Sequence, residues 1–540
     1  MPNSKRYLVT FKDETVTEES VMEVFNIPES HMRKATLFMM GSDIPSNTDV
    51  LYFDKLGIAS VELSDMDVTS LERRPEILAV EEDIEMEILG FIDDDAQISE
   101  ETTTAQGTHL WNMIHINAPS AWEKENTGLG VNLAILDTGI AAHPDLEIKG
   151  GVSFVPNVTS YNDGHGHGTH CAGIAAAKNG TNSVLGVARD CNLFAVKVLS
   201  DLGKGATSSV ISGLEWCIDN NIKVASMSLG STSEPSVVYA TAIRRCQDAG
   251  VSAVAAAGNS AGSDFPWVGS PANSFLTGVP NASPIAVGAI DITYCIAGFS
   301  SRGTTESMTW NPVTVTAPGV NIYSTYLGKG FVNMSGTSMA CPHVAGLVAL
   351  VYQQYPRYTP QQVKDKIVSN AVSLGGPFPN ETYGSGNISA VETVTLKCLG
   401  SIENPDHVCL DGRTQDGSVG LAPSTNPNIY SGTYWEMINL EDGNIALKCL
   451  GTIENPDHVY LDGRTQDGSV GLAPSTDPIK YSGTYWEVIN LEDGNIALKC
   501  LGTIENPDHV YLDGRTQDGS VGLAPNADPE PYSGTHWKRE

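Results

Sequence analysis

Long hydrophobic runs are missing from this chain of 540 residues. No apolar stretch approaches the roughly 20 residues that a membrane-spanning helix needs, so no membrane partner is expected. Positive charge is scarce. Lys and Arg total 31 against 64 Asp and Glu, and the formal charge of −33 repels nucleic acid and acidic lipid while favouring solubility and calcium. Cysteine is thin too, ten residues with none among the first 100. The absence of any CxxC pair excludes a zinc ribbon, and spacing alone defines no disulfide. The start, Met1-Pro2-Asn3-Ser4-Lys5-Arg6, lacks the apolar segment of roughly 7–15 residues that marks a signal peptide.

What is present reads as globular. With 41% apolar and 18% charged residues, and too much length for one core, about two to four domains are expected. Residues 1–100 show strand-like runs at Tyr7–Phe11, Val50–Phe53, Gly57–Leu63 and Ile77–Glu82, with helical stretches at Glu18–Phe25 and Asp67–Arg73. That β-α-β-β-α-β order predicts a small ferredoxin-like α+β domain. Around Ala96–Gly107 periodicity disappears, and residues 101–107 are expected to be an exposed, cleavable linker.

Residues 108–395 alternate short continuous apolar runs with helical patterns. The runs Val131–Leu136, Leu193–Leu199, Ile222–Leu229, Val251–Ala257 and Pro284–Ile290 are apolar on both faces, as buried parallel strands are. The alternation predicts an α/β domain, an open parallel sheet with helices on both faces. Residues 396–540 form an internal repeat. Gly-Ser/Thr-Ile-Glu-Asn-Pro-Asp-His begins at Gly400, Gly451 and Gly502, and Trp435, Trp486 and Trp537 keep the same step of 51 residues. Three turn-rich copies predict an all-β threefold structure, most simply a β-trefoil, with a linear array of three modules as the rival. Tyr485-Trp486 and its counterparts either stack on a carbohydrate or form the core; the Gln-x-Trp signature of ricin-type trefoils is lacking.

Four motifs carry chemistry. Val131–Leu136 delivers Asp137 to the carboxyl end of a buried strand, where open α/β sheets present functional groups. About 30 residues on, a helix starting in the glycine-rich turn His165-Gly166-His167-Gly168-Thr169-His170 aims an imidazole into the cleft. His165 is expected to be solvated and His170 packed, and no HExxH motif supports a zinc site. Ala255-Ala256-Ala257-Gly258-Asn259 ends a strand of small residues with a carboxamide able to donate to an oxyanion. Ser338 precedes Pro342, which is tolerated only in a first helical turn, so Ser338 is expected at a helix N-terminus. Each motif alone is weak. Together, in the order Asp…His…Ser, they describe a nucleophilic hydrolase.

These motifs, with His143-Pro144-Asp145-Leu146, Ser228-Leu229-Gly230, Ala317-Pro318-Gly319 and Gly336-Thr337-Ser338-Met339-Ala340, resemble the subtilase family across the middle zone. The resemblance implies a subtilisin-like serine endopeptidase with catalytic Asp137, His167 and Ser338 and an oxyanion-binding Asn259. It further implies that Ser228, Leu229, Gly230, Ala256, Ala257 and Gly258 bind substrate. Residues 1–100 resemble an inhibitor-type propeptide, which would make the chain an autoprocessed zymogen. No cofactor is required by that chemistry, but Asp145 and Asn182 stand where the family holds a structural calcium ion. Gly180 replaces the usual Asn of that loop. Protein or peptide substrates, the chain's own propeptide and a carbohydrate or protein ligand for the repeats are the implied partners. The family also implies a secreted monomer. The competing class is an inactive protease scaffold that binds ligands through its repeats, against which the intact Asp137, His167, Asn259 and Ser338 argue.

Overall fold

The computed structural model describes residues 4–12, 16–35, 49–93, 111–178, 184–279, 282–303, 311–374 and 380–399. In the C-terminal region it describes 409–422 except 414, 431–440, 444–450, 459–464, 468–476, 482–491, 494–501, 510–515, 520–527 except 526, and 533–539. The expected linker at 101–107 and Asn182 lie outside these residues. Two units are separate in their internal contacts: residues 1–369 with 379–390, and residues 370–378 with 391–540.

In the first unit, β1 (Lys5–Phe11), α1 (Glu18–Phe25), β2 (Met32–Lys34), β3 (Val50–Phe53), β4 (Ile58–Leu63), α2 (Asp65–Leu71) and β5 (Ile77–Glu82) come first. Their sheet has the order β2-β3-β4-β1-β5, and β1 pairs antiparallel with both β4 and β5. The short β2, parallel to β3, has too few residues to show a period and was not expected. Helix α2 starts two residues before the expected Asp67, because Ser64 and Asp67 form a capping box. Val9, Phe11, Val21, Tyr52, Ala59 and Leu71 pack into a core beneath one face.

Two short strands follow, β6 (Glu85–Ile88) and β7 (Phe91–Ile92). The second sheet is built from β8 (Asn132–Asp137), β9 (Ile148–Ser153), β10 (Asn192–Lys197), β12 (Val224–Met227), β14 (Ser252–Ala256), β15 (Ile285–Ile290) and β16 (Val315–Pro318). Its order is β16-β15-β14-β12-β8-β10-β9, and every pairing in it is parallel. From β8 the chain goes out to β9 and β10 on one side, then returns to β12, β14, β15 and β16 on the other. That reversal opens a crevice beyond the carboxyl ends of β8 and its neighbours. Outside the sheet lie β11 (Lys204–Ala206), β13 (Leu229–Gly230), β17 (Ile322–Thr325) and β18 (Phe331–Ser335). The helices that bear on the crevice are α3 (His167–Ala176), α4 (Thr207–Asp219), α5 (Val237–Asp248) and α6 (Thr337–Gln354), each largely buried.

In the second unit three hairpins repeat one register. Cys409 pairs with Ala422, Tyr460 with Ala473 and Tyr511 with Ala524. A second set pairs Trp435 with Cys449 and Trp486 with Cys500, and its third member joins Cys398 to Trp537, the first strand region to the last. That pairing helps close the sheet into a barrel and spares it open edges. Cross-pairs Ser418–Gly471, Gly420–Ser520 and Ser469–Gly522 tie the three copies together, so they form one body instead of a linear array. Trp435, Trp486 and Trp537 are fully buried, and each indole N–H donates to a leucine carbonyl 25 residues earlier at 3.0–3.1 Å. The tryptophans are core, not a ligand platform.

Candidate active site

Asp137 ends β8 and is fully buried. Its Oδ1 accepts from His167 Nδ1 at 2.8 Å and from the Thr138 N–H at 2.7 Å, so the carboxylate fixes which ring nitrogen carries the proton. His167 opens α3. Asp163 organises that turn: Oδ1 accepts from the N–H groups of His165 and Gly166, and Oδ2 from the Thr169 N–H and hydroxyl. Gly168 cannot carry a side chain, because an added Cβ would lie 2.2 Å from the Gly139 carbonyl. The glycine lets the helix press its first turn onto the Asp137 strand.

The flanking histidines differ from His167. His170 donates Nε2–H to the Ile322 and Val332 carbonyls, and burial pushes its pKa down to about 3. His165 is half-buried where solvation was expected, and burial lowers its pKa as well. Asp137, His167 and Cys171 lie close enough to hold a metal ion. Burial raises the Cys171 thiol well above its usual range, however, which opposes the thiolate that a metal would need.

Ser338 is the second residue of α6 and fully buried. Pro342 stands sixth in that helix, beyond the first turn where it was expected. A proline there has no N–H for the carbonyl four residues earlier, which belongs to Ser338. The Ser228 hydroxyl replaces it, donating to the Ser338 carbonyl at 2.9 Å, with the Cys171 thiol at 3.5 Å. The proline is thereby tolerated, and Ser228 ties β13 to the helix start.

The crevice is filled by the N-terminal segment of the same chain. Strand β6 lies between β11 and β13: Lys204 pairs with Glu87 and Ala206 with Glu85, while Leu229 pairs with Ile88 and Gly230 with Glu87. The Leu89 carbonyl then accepts from Asn259 Nδ2 at 2.7 Å and from the Ser338 N–H at 3.1 Å. Ser338 Oγ donates to the Ser228 carbonyl at 2.9 Å and accepts from the Leu89 N–H at 3.1 Å. No hydrogen bond joins it to His167, whose Nε2 has no partner. That Nε2 instead faces Gly90, where an added Cβ would lie 2.9 Å away. Serine hydroxyl and imidazole therefore bracket one peptide bond, Leu89–Gly90. Beyond it β7 pairs with β18, Phe91 opposite Ser335 and Ile92 opposite Met334. Gly336, at φ +147°, is obligatory, since an added Cβ would meet the Leu89 carbonyl at 2.4 Å.

Asn259 is held in place by Thr337, whose N–H and hydroxyl both donate to Asn259 Oδ1 at 2.9 Å. Thr337 was visible in the sequence only as part of its motif. Ala257, Gly258, Gly230, Gly269 and Ser270, together with Leu89, line a cavity of about 180 Å³. Ala256 sits one residue back, paired with Val287 in the sheet. Leu89 and Gly90 were missed altogether, because nothing in their composition separates them from neighbouring strand residues.

A carboxylate-bound imidazole, a serine at a helix start and two N–H donors aimed at one carbonyl, all at the carboxyl ends of a parallel sheet, are the parts of a serine hydrolase. The Subtilase family model matches residues 128–386. The chain is 39% identical over 387 residues to an alkaline protease of Alkalihalobacillus alcalophilus, covering 72% of this chain and 90% of that protein. It is 44% identical over 280 residues to subtilisin BL of Lederbergia lenta, covering 52% and 96% respectively. The chain belongs to the subtilase family and is a subtilisin-like serine endopeptidase. Among the described residues no helix is long and apolar enough to cross a membrane.

His170 and His343 impose an acid limit. Burial brings His343 down to about 4; its Nδ1 donates to the Met339 carbonyl and Nε2 accepts from Asn112. Below pH 6.5 the unfolded chain takes up protons at both positions that the folded protein refuses, so stability falls as pH drops from about 6.5 towards 3. The expected loss at pH 5 is about 2 kcal/mol for each histidine. Thermal melts between pH 7.5 and 5 check this, and a flat Tm would refute it.

Proposed function

We propose that Ser338 attacks the substrate carbonyl while His167 takes its proton and later returns it to the leaving amine. Asp137 orients and stabilises the imidazolium, and Asn259 with the Ser338 N–H holds the oxyanion. The observation that carries this reading is the Leu89 carbonyl bonded by both donors, with His167 Nε2 against the next residue. Ser338 Oγ must leave the Ser228 carbonyl to reach the imidazole. Substrates are proteins or peptides bound as a strand between the edges that hold β6, which recognise backbone more than side chain. The family resemblance extends the reading to secretion and action as a monomer.

The same geometry supports a zymogen whose N-terminal domain, of ferredoxin-like type, is its inhibitor and is cut at Leu89–Gly90. This replaces the bond expected at residues 101–107. Glu81 accepts from the Ser236 hydroxyl and the Val237 and Val238 N–H groups at the start of α5, and Asp83 accepts from the Ser208 N–H at the start of α4. Both carboxylates sit where helix dipoles favour negative charge. The C-terminal repeats are proposed to be a β-trefoil. With its tryptophans buried, no observation favours a carbohydrate ligand, nor the inactive-scaffold alternative.

A structural calcium ion at Asp145 belongs to this reading. Asp145 is 2% exposed, and neither carboxylate oxygen has a hydrogen-bond partner. A buried carboxylate in that state suits a hard cation. Calcium at about 100 times its dissociation constant is expected to add about 2.7 kcal/mol of stability. Melts with calcium and with chelator should differ by several degrees in the wild type and coincide in Asp145→Asn; coincidence in both would remove the site.

Asn259→Ala tests the proposed mechanism. It is expected to lower kcat by about 10²–10³, the range established for the corresponding group of subtilisin itself, with KM little changed. Steady-state kinetics on a chromogenic peptide measures both, and an unaltered kcat would contradict the role.

A further inference from the structure

The segment lying in the crevice shows which side chains the enzyme meets before the cut. Along β6 the residues alternate: Met86 is fully buried, while Glu85 and Glu87 are exposed on the other face. Opposite them β11 presents Lys204, paired in register with Glu87. Its ammonium lies 2.5 Å from Glu85 Oε1, the diagonal neighbour on the same face. The two carboxylates, Glu85 foremost, hold the Lys204 ammonium above the ordinary lysine range. Lys197 is engaged elsewhere, its Nζ bonded to Asp201 at 2.7 Å and to the Thr138 carbonyl.

Counting back from the Leu89–Gly90 bond, Glu87 is the third residue and Glu85 the fifth. We propose that Lys204 is a specificity-determining residue that favours substrates carrying a carboxylate at the third or fifth position before the scissile bond. The inference rests on the reading of Leu89–Gly90 as the bond held in the catalytic centre. Backbone pairing at β11 and β13 is blind to side chains, so a charge at this edge adds a preference that strand addition lacks. The pair is half-exposed, with Lys204 51% and Glu85 61% accessible at the side chain. An ion pair of that kind supports about a two- to fivefold preference at each position, weakened as salt screens it.

The test uses the processed protein and two internally quenched peptides, Glu-Met-Glu-Ile-Leu-Gly-Phe-Ile and the same peptide with both Glu replaced by Lys. Wild type is expected to show kcat/KM about 4–25-fold higher for the Glu peptide at low salt, the ratio shrinking towards one at 1 M salt. Lys204→Glu should bring that ratio to one or below, and Lys204→Met should place it between. The same Glu-to-Lys ratio in all three proteins would overturn the proposal. If wild type cuts neither peptide between leucine and glycine, the reading of the site itself falls, a different result from equal ratios.

Discussion

Ser338→Ala is expected to leave the Leu89–Gly90 bond uncut and to lower peptide hydrolysis by about 10⁶-fold. The magnitude is the one known for the nucleophile of subtilisin. The direction follows from the geometry. Ser338 Oγ stands beside a peptide whose carbonyl is already held by Asn259 Nδ2 and the Ser338 N–H, so only the attacking atom is lost. The fold should survive, because the hydroxyl contributes one bond to the Ser228 carbonyl and one from the Leu89 N–H, both within a packed site. Intact mass, circular dichroism and turnover of a denatured protein substrate together measure the outcome. A folded Ser338→Ala protein that still shortens itself at the wild-type rate would rule out Ser338 as the nucleophile.

Leu89→Asp should slow self-processing at the Leu89–Gly90 bond by about 10²-fold or more. Leu89 lines a small cavity together with Ala257, Gly258 and Gly269, with no basic side chain in its wall. An unpaired carboxylate there costs about 3 kcal/mol, and it repels the oxyanion forming next to it. Against an added peptide with leucine before the cut, the small fraction of matured mutant should be as active as wild type, since residue 89 leaves with the N-terminal domain. A time course on a denaturing gel reads the rate. Unchanged processing with the same new N-terminus would mean that the cavity does not select residue 89.

The sequence exposed much of this site because its parts sit inside local patterns. Apolar runs bounded by Asp137 and Asn259 are strands that end in the crevice, and the glycines around His167 and Ser338 are where backbones approach most closely. Helix α1 falls on the helical stretch expected around Glu18–Phe25, and the structure shows it capped by Thr17 with an acidic first turn. The position of Pro342 was misread because its missing N–H is compensated by Ser228, more than 100 residues away in sequence. The bond in the crevice was hidden for a related reason. Composition marks where a chain is exposed, which drew attention to residues 101–107, whereas the segment held between β11 and β13 and against β18 is picked out only by its tertiary fit. Strands as short as β6 and β7 are too brief to be separated by pattern from loop residues, and both pair along those edges. In the repeats, the step of 51 residues was plain, whereas closure of the barrel by Cys398 and Trp537 joins segments that no local pattern connects.

The N-terminal sequence of the first product formed by freshly folded wild-type protein shows whether the catalytic centre cuts the bond it holds. A mature chain beginning Gly90-Phe91-Ile92, absent from Ser338→Ala, is expected. A first cut elsewhere, with Leu89–Gly90 left intact in an active enzyme, would contradict it.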